Sequence, residues 1–365
     1  LGVQVVKKNR NETKVNTKDI HEINMGCVLP AGKGQAPARQ VSIGANIPYD
    51  VGATTVNKMC GSGMKSVMIG NDSIISGSNK IVIAGGLESM SNAPYILPKV
   101  REGLRMGDST IKDHMFIDGL EDAYDEGKLM GHFAEDTAEH YQFTREQQDS
   151  FAINSLQKAK IANEDGSFFN EIVPINIKIK NKEKIISKDE QPYKANLEKI
   201  PSLRPAFKKN GTVTAANSSS ISDGASALML MKETEAHKRG LHPLARIVCH
   251  ETNSQEPRWF TTAPIGAIRK ALDKAKWTVG SVDLFEVNEA FAVVPMAVMK
   301  ELSIPNDILN IHGGACALGH PVGASGTRII TTLINALIKN NLKKGIASLC
   351  IGGGEATAMA LELVN

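Results

Sequence analysis

The sequence predicts an α/β protein made of two similar halves, with a long segment inserted in the first. Three observations carry this expectation. A glycine-rich start, an apolar helix and a strand with clustered glycines follow one another over residues 61–86 and again over 323–354. Recurrence in the same order marks an internal duplication. The strands of both copies, Ile81-Val-Ile-Ala and Gly345-Ile-Ala-Ser-Leu-Cys-Ile, are unbroken apolar runs, as in strands covered on both faces. Residues 92–220 lack this alternation.

Taken in order, the first copy opens with Gly61-Ser62-Gly63. A helix over 61–76 follows, with Met64, Val67, Met68, Ile74 and Ile75 on one face. Lys80 to Gly86 reads as a buried strand ending in a turn, and Glu88-Ser-Met as the start of another. Pro94, Pro98, Met106-Gly-Asp and a polar, Lys-rich stretch from about 170 to 210 break the next region into an insertion. Within it a helix is expected over 144–162, where Thr144 and Gln147 form a capping box ahead of Phe151, Ile153 and Leu156. From about 242 the opening logic returns. Gly323-Ala-Ser-Gly leads into a strong helix through Ile338, then a strand over 345–351, a glycine turn and a final strand over 357–363.

Composition narrows the function. The 365 residues are 42% hydrophobic and 22% charged, an ordinary globular balance with room for two or three structural units. A net charge of +3, with no basic block interleaved with aromatics, argues against nucleic acid. No apolar run approaches the ~20 residues needed to cross a bilayer, so no membrane partner is expected. Five scattered cysteines (27, 60, 249, 316, 350) without Cys-x-x-Cys spacing fit free thiols in a reducing, cytoplasmic setting. There is no zinc-ligand spacing and no Gly-x-Gly-x-x-Gly fingerprint, so neither a metal nor a dinucleotide cofactor is expected.

The chemistry resides in four residues. Cys60, in Asn-Lys-Met-Cys-Gly-Ser-Gly, reads either as a small buried hydrophobe or as a nucleophile at a helix mouth. There the dipole and free N–H groups favour a thiolate. His320, between Gly319 and Pro321, is either a loop histidine or a base with space cleared around its ring. Cys350, before Ile351 and three glycines, is either a strand-end core residue or a proton carrier. A thiol's ordinary pKa lies within reach of neutral pH, and the Gly352 N–H and its neighbours can line an oxyanion site. Asn288 is either a helix N-cap or the holder of a water against a substrate oxygen. Cys27, Cys249 and Cys316 are assigned to packing. Two thiols, an imidazole and an amide in such settings point to acyl transfer and carbon-acid chemistry.

Taken together, these motifs make the sequence resemble the thiolase family. The resemblance runs from Gly34-Gln-Ala-Pro-Ala-Arg-Gln to the last strand. It is carried by Asn57-Lys-Met-Cys-Gly-Ser-Gly, Ala84-Gly-Gly-Leu-Glu-Ser-Met-Ser, Asn288-Glu-Ala-Phe-Ala, Gly319-His-Pro-Val-Gly-Ala-Ser-Gly and Cys350-Ile-Gly-Gly-Gly. It implies a five-layer αβαβα fold, with a first half at 1–91 plus 221–241, an inserted loop domain at 92–220 and a second half at 242–365. The family's first strand and Arg-Thr-Pro segment are not visible before Leu1, so the chain looks shortened there.

By the same resemblance Cys60 is the acyl-accepting nucleophile, His320 its base and Cys350 the second acid/base. Asn288 holds a water that makes one oxyanion hole with His320, and the other uses the N–H groups of Cys60 and Gly352. Ser219, in Thr214-Ala-Ala-Asn-Ser-Ser, matches a pantetheine contact, and Phe207 and Met130 match pocket-lining residues. Leu129 stands where many biosynthetic thiolases have histidine, which weakens any transfer of chain-length preference, and Glu355 after the glycine triplet is not universal. The implied reaction condenses two acetyl-CoA to acetoacetyl-CoA and CoA, or runs backward. Acyl-CoA and CoA are the partners, no separate cofactor is needed, and a homodimer or homotetramer is implied. The alternatives are a longer-chain degradative 3-ketoacyl-CoA thiolase and a non-catalytic thiolase-like lipid carrier. A ketoacyl synthase would lack Cys350, and a cysteine hydrolase would not need it.

Overall fold

A computed structural model describes residues 1–179 and 182–364. The first half runs α1 (Gly2–Thr13), β1 (Glu22–Gly26), α2 (Pro37–Gly44), β2 (Gly52–Val56), α3 (Ser62–Ser76) and β3 (Ile81–Ser89). The chain then leaves the sheet through a short hairpin of β4 (Tyr95–Ile96) and β5 (Lys112–Asp113). Next come α4 (Met130–Tyr141), α5 (Arg145–Glu164), a second hairpin of β6 (Ile175–Ile179) and β7 (Lys182–Ile186), and α6 (Gln191–Lys194). It returns as β8 (Asp223–Met231), followed by α7 (Glu233–Lys238). The second half comprises β9 (Ala245–Ser254), α8 (Ala263–Ala275), β10 (Leu284–Val287), α9 (Val293–Leu302), α10 (Ala315–Leu318), α11 (Val322–Lys339), β11 (Lys344–Ile351) and β12 (Glu355–Leu363).

Among the described residues the halves hold one four-stranded sheet each, ordered β2-β1-β3-β8 and β10-β11-β12-β9. In both, a parallel pair (β1 with β3, β10 with β11) is joined by an antiparallel strand (β8, β12). Between the sheets α3 and α11 pack together, with Met64, Val67 and Met68 against Ile329, Ile330 and Leu333, and Ala84, Leu349 and Met359 closing on them. Val6 and Val41 cover the outer face of the first sheet over Ile23, Ile81 and Ile83. Ile265, Ile268 and Val294 cover the outer face of the second over Phe285, Ile346 and Ala358. The result is five layers, αβαβα. Both sheets are covered on both sides, and that is why β3 and β11 read as unbroken apolar runs.

The expected helices at 61–76 and 144–162 occur as α3 and α5. Thr144 caps α5 through the Gln147 N–H (3.2 Å) and receives Gln147 in return (2.9 Å at its own N–H). Three local expectations fail. Ile75 lies on the outer face of α3, 69% exposed. The pair Gly85-Gly86 does not turn the chain; it lies inside β3, because a Cβ at either would collide with backbone oxygen of Ser226 or Gly323. Glu88 and Ser89 therefore finish β3, and the last strand of this half is β8. Among the described residues no helix is long and apolar enough to cross a membrane.

Candidate active site

Cys60 stands on a turn held from within. Met59 just before it has a left-handed backbone, φ 46°, which a non-glycine residue keeps when its surroundings fix it. Asn57 Oδ1 accepts the Met59 N–H (3.0 Å), the Lys58 N–H donates to Ser62 Oγ (2.8 Å), and that hydroxyl donates to Met59 O (2.6 Å). The turn sets Cys60 ahead of α3, half-buried. Cys350, next to last in β11, is 0% exposed. A Cβ on Gly61 would collide with Ile351 Cδ1, so the nucleophile turn meets the end of β11. There the Gly352 N–H favours the charged form of Cys60, and charge on Cys60 acts on Cys350. Two thiols from opposite halves thus share one electrostatic neighbourhood.

Glycines bring the histidine there. A Cβ on Gly63 would stand 2.9 Å from the Thr327 nitrogen, and one on Gly326 would strike Met64. Their absence lets the starts of α3 and α11 touch backbone to backbone. Val322, two residues beyond His320, packs in one cluster with Met59 and Cys60. Glu88 fastens the junction. Its buried carboxylate accepts the N–H groups of Val28 (2.9 Å), Leu29 (3.2 Å) and Gly323 (3.0 Å). Cys27, assigned above to packing alone, has polar company after all, since its S–H donates to Glu88 at 3.7 Å.

His320 is 6% exposed. Its Nδ1 lies 2.6 Å from Ser325 Oγ, whose own hydrogen goes to Pro321 O (3.0 Å). Ser325 Oγ therefore accepts, Nδ1 carries the proton, and Nε2 keeps its lone pair. Nε2 is buried without a partner among the described residues. Burial and the Arg328 guanidinium push the imidazolium down to about 3, so the ring is neutral at ordinary pH. Ser325→Ala removes the acceptor that selects this tautomer. Turnover is expected to fall about tenfold, the worth of roughly one hydrogen bond, with little change in KM. Steady-state kinetics check this; an unchanged kcat would leave the tautomer set by something else.

Asn288 caps no helix. The residue before α9 is Ala292, and the Asn288 amide Nδ2 lies 3.5 Å from His320 Nδ1, with its Oδ1 buried and unpartnered. The helix-mouth argument for Cys60 is also overturned. Burial pushes its thiol up, against the opposing N–H groups of Gly352 and of Cys60 itself. The Cys350 thiol, expected near its ordinary value, is pushed well above it by burial and then by charge on Cys60. Cys316 and Cys249 are buried, their thiols donating to the backbone oxygens of Glu289 and Ala271.

The insertion supplies the remaining residues. Leu129 stands immediately before α4, where its N–H is accepted by His132 Nδ1 (3.0 Å). Met130 Sδ lies 3.1 Å from where a Cβ on Gly352 would stand, so this helix start roofs the glycine turn. Phe207 packs over Gly131 and meets Phe291 edge-on at 6.0 Å. The Ser219 N–H donates to Ala290 O (2.9 Å), and Ser220 O accepts the His320 N–H (3.3 Å). Ser325, Glu88 and His132 escaped the sequence reading. Ser325 carried a local signal, lying one helical turn beyond the Gly-His-Pro bend. Among the described residues no cluster of His, Cys, Asp or Glu is placed to hold a metal. A cavity of about 1010 Å³ at the end of α5, lined by Lys158, His312 and Lys339, includes none of the candidate site residues.

Comparison with known proteins gives a consistent set. The model of the thiolase N-terminal domain matches residues 1–234, and that of the thiolase C-terminal domain matches 241–363. An acetyl-CoA acetyltransferase of Allochromatium vinosum is 45% identical over 364 residues, spanning 99% of this chain and 92% of its own. A probable acetyl-CoA acetyltransferase of Dictyostelium discoideum is 48% identical over 349 residues, 95% of this chain and 84% of its own. The crystal structure of the Bacillus anthracis acetyl-CoA acetyltransferase superposes with a TM-score of 0.96 at 39% identity, over 100% of this chain and 92% of that one. A thiolase of Ascaris suum in complex with coenzyme A gives 0.94 at 40% identity, over 100% and 93%.

Proposed function

The chain belongs to the thiolase family, and on that premise we propose that it is an acetyl-CoA acetyltransferase working through an acyl group carried on Cys60. It joins two acetyl-CoA into acetoacetyl-CoA and CoA, or runs the same steps backward. The observation that carries this reading is the convergence of Cys60 with the second half, where Ile351, next to Cys350, closes on Gly61 and Val322, next to the His320 loop, packs with Cys60.

The resting thiols are protonated and the imidazole is neutral, so proton transfer within the empty site is uphill. It proceeds as the thioester carbonyl is attacked. Cys60 gives its proton to His320 Nε2, its sulfur bonds to the carbonyl carbon, and the oxygen takes up the charge. The Gly352 and Cys60 N–H groups hold that oxygen. Collapse breaks the bond to the CoA sulfur, which leaves with the proton. An acylated Cys60 can no longer bear charge, so what opposed ionisation of Cys350 besides burial is gone. Cys350 passes its own proton to the vacated His320 Nε2, and its thiolate takes an α-proton from the second acetyl-CoA. The enolate carbon attacks the acyl-thioester, so that Cys60 leaves and recovers a proton from His320 Nε2. The unpartnered His320 Nε2 and Asn288 Oδ1 suit a donor and a water held at the enolate oxygen.

CoA enters as part of the substrate, and no metal or further cofactor takes part. Met130, Leu129 and Phe207 wall the acyl end and Ser219 meets the pantetheine arm. Five free thiols fit the cytoplasm. A homodimer or homotetramer is supported by exposed Tyr95, Leu97, Val100, Leu104, Met106 and Ile111 on the insertion, which a second copy would cover. The test mixes acetoacetyl-CoA with CoA and follows loss of the enolate absorbance. Native protein should turn over and Cys60→Ser should not. Residual turnover in Cys60→Ser within tenfold of native would refute a covalent route.

A further inference from the structure

We propose that a buried knot of Asn310, Glu289 and Ser155 positions Asn288, fixing its amide against His320 for the second half-reaction; this rests on the reading of the site given above. β10 is an edge strand of its sheet, and it ends at Val287, one residue before Asn288. On its outer side the Phe285 N–H donates to Ile308 O (2.8 Å), and Phe285 O accepts the Asn310 N–H (2.9 Å). Two residues further on, a side chain takes over from the neighbouring backbone. Asn310 Oδ1 accepts the Val287 N–H (2.8 Å) and Asn310 Nδ2 donates to Val287 O (2.8 Å). A primary amide carries both a donor and an acceptor, so one side chain can pair a whole residue of a strand edge. Asn310 does this from a left-handed backbone, φ 46°, a conformation that Asn enters more readily than most residues.

The second Nδ2 hydrogen reaches past Asn288 to Glu289 Oε1 (2.9 Å). Glu289 Oε2 accepts the Ser155 hydroxyl (2.7 Å) and the Cys316 N–H (3.1 Å), and Ser155 Oγ accepts the Gly314 N–H (2.9 Å). All three knot residues are buried. Val287 and Glu289 are thus held on either side of Asn288, whose own N–H donates to Ser348 O (3.0 Å). The Asn288 side chain itself has little to hold it. Its Oδ1 has no partner among the described residues, and its Nδ2 stands 3.5 Å from His320 Nδ1. The amide therefore takes its place from the backbone that carries it. His320 has separate holds, Ser325 Oγ at Nδ1 and Ser220 O on its N–H. Loosening the knot releases Asn288 and spares the base.

The test is Asn310→Gly, which removes the side chain, leaves the left-handed backbone unstrained and changes no charge. Ser155→Ala, at the far arm of the knot, is the milder second variant. Condensation should slow about tenfold in Asn310→Gly and about threefold in Ser155→Ala, with the CoA burst from acylation within about twofold of native and KM little changed. Both losses are smaller than the ~10²–10³ for outright removal of an oxyanion donor. In an Asn288→Ala background neither substitution should cost anything further. A loss that adds to that of Asn288→Ala, or an acylation loss as large as the condensation loss, would mean that the knot only supports the fold. Crystal structures of native protein and both variants supply a readout that needs no turnover. The separation of Asn288 Nδ2 from His320 Nδ1, 3.5 Å in the native chain, should lengthen in the variants. An Asn288 that stays in place overturns the knot. Failure of native protein to be acylated at all would sink the thiolase reading instead, while the crystal structures still decide the knot.

Discussion

Cys350→Ser should still be acylated by acetyl-CoA yet fail to condense. The first half-reaction proposed above relies on Cys60, His320 and the Gly352 N–H, none of which this substitution removes. One equivalent of CoA should be released and one acetyl group retained on Cys60. The second half needs a group that gives up its proton inside the protein. Cys350 is 0% exposed and burial already holds its thiol well above the ordinary value. A serine hydroxyl is a far weaker acid than a thiol, and burial penalises its charged form just as strongly. Losing a positioned acid/base costs about 10²–10⁴ in turnover. Burst measurement of CoA release, with mass spectrometry of the Cys60 peptide, separates the halves. Condensation near the native rate would mean that another group takes the α-proton.

Gly86→Val should unfold the molecule or leave it inactive. A Cβ at Gly86 falls on Gly323 O and within 3 Å of Ala324 Cα, both backbone atoms with no rotamer to yield. Inserting bulk into a packed core costs about 1–3 kcal/mol when side chains can adjust, and more where they cannot. Here α11 must retreat from β3. That retreat pulls Gly323 from Glu88 and carries the His320 loop away from Cys60. The control is Gly280→Ala, where an added Cβ meets nothing within 4 Å. It should stay within about 0.5 kcal/mol of native. Thermal unfolding monitored by circular dichroism, with turnover on whatever folds, gives the comparison. A Gly86→Val protein of native stability would mean that β3 and α11 are not in contact.

Glu355 shows how far a sequence goes. It is visible as an unusual residue after the glycine triplet, yet nothing within the chain's neighbourhood names Lys58, 297 positions away, as its partner. Ser325 is closer to legible, because one helical turn separates it from His320 and such contacts follow helical spacing.

The sequence alone determined the elements that local physics controls. The apolar periodicity of α3 and α11, the capping box of α5 and the covered strands β3 and β11 are properties of short windows, and so is the recurrence of glycine, helix and strand. It also singled out Cys60, His320, Cys350 and Asn288 as candidates, because unusual residues in glycine-rich settings are visible in one dimension. Only the tertiary structure decided that Gly85-Gly86 stays in a strand, that Asn288 turns to His320, and that both thiols hold their protons. Those outcomes depend on which backbone arrives from the other half and how much water it displaces, and no window of sequence contains either quantity.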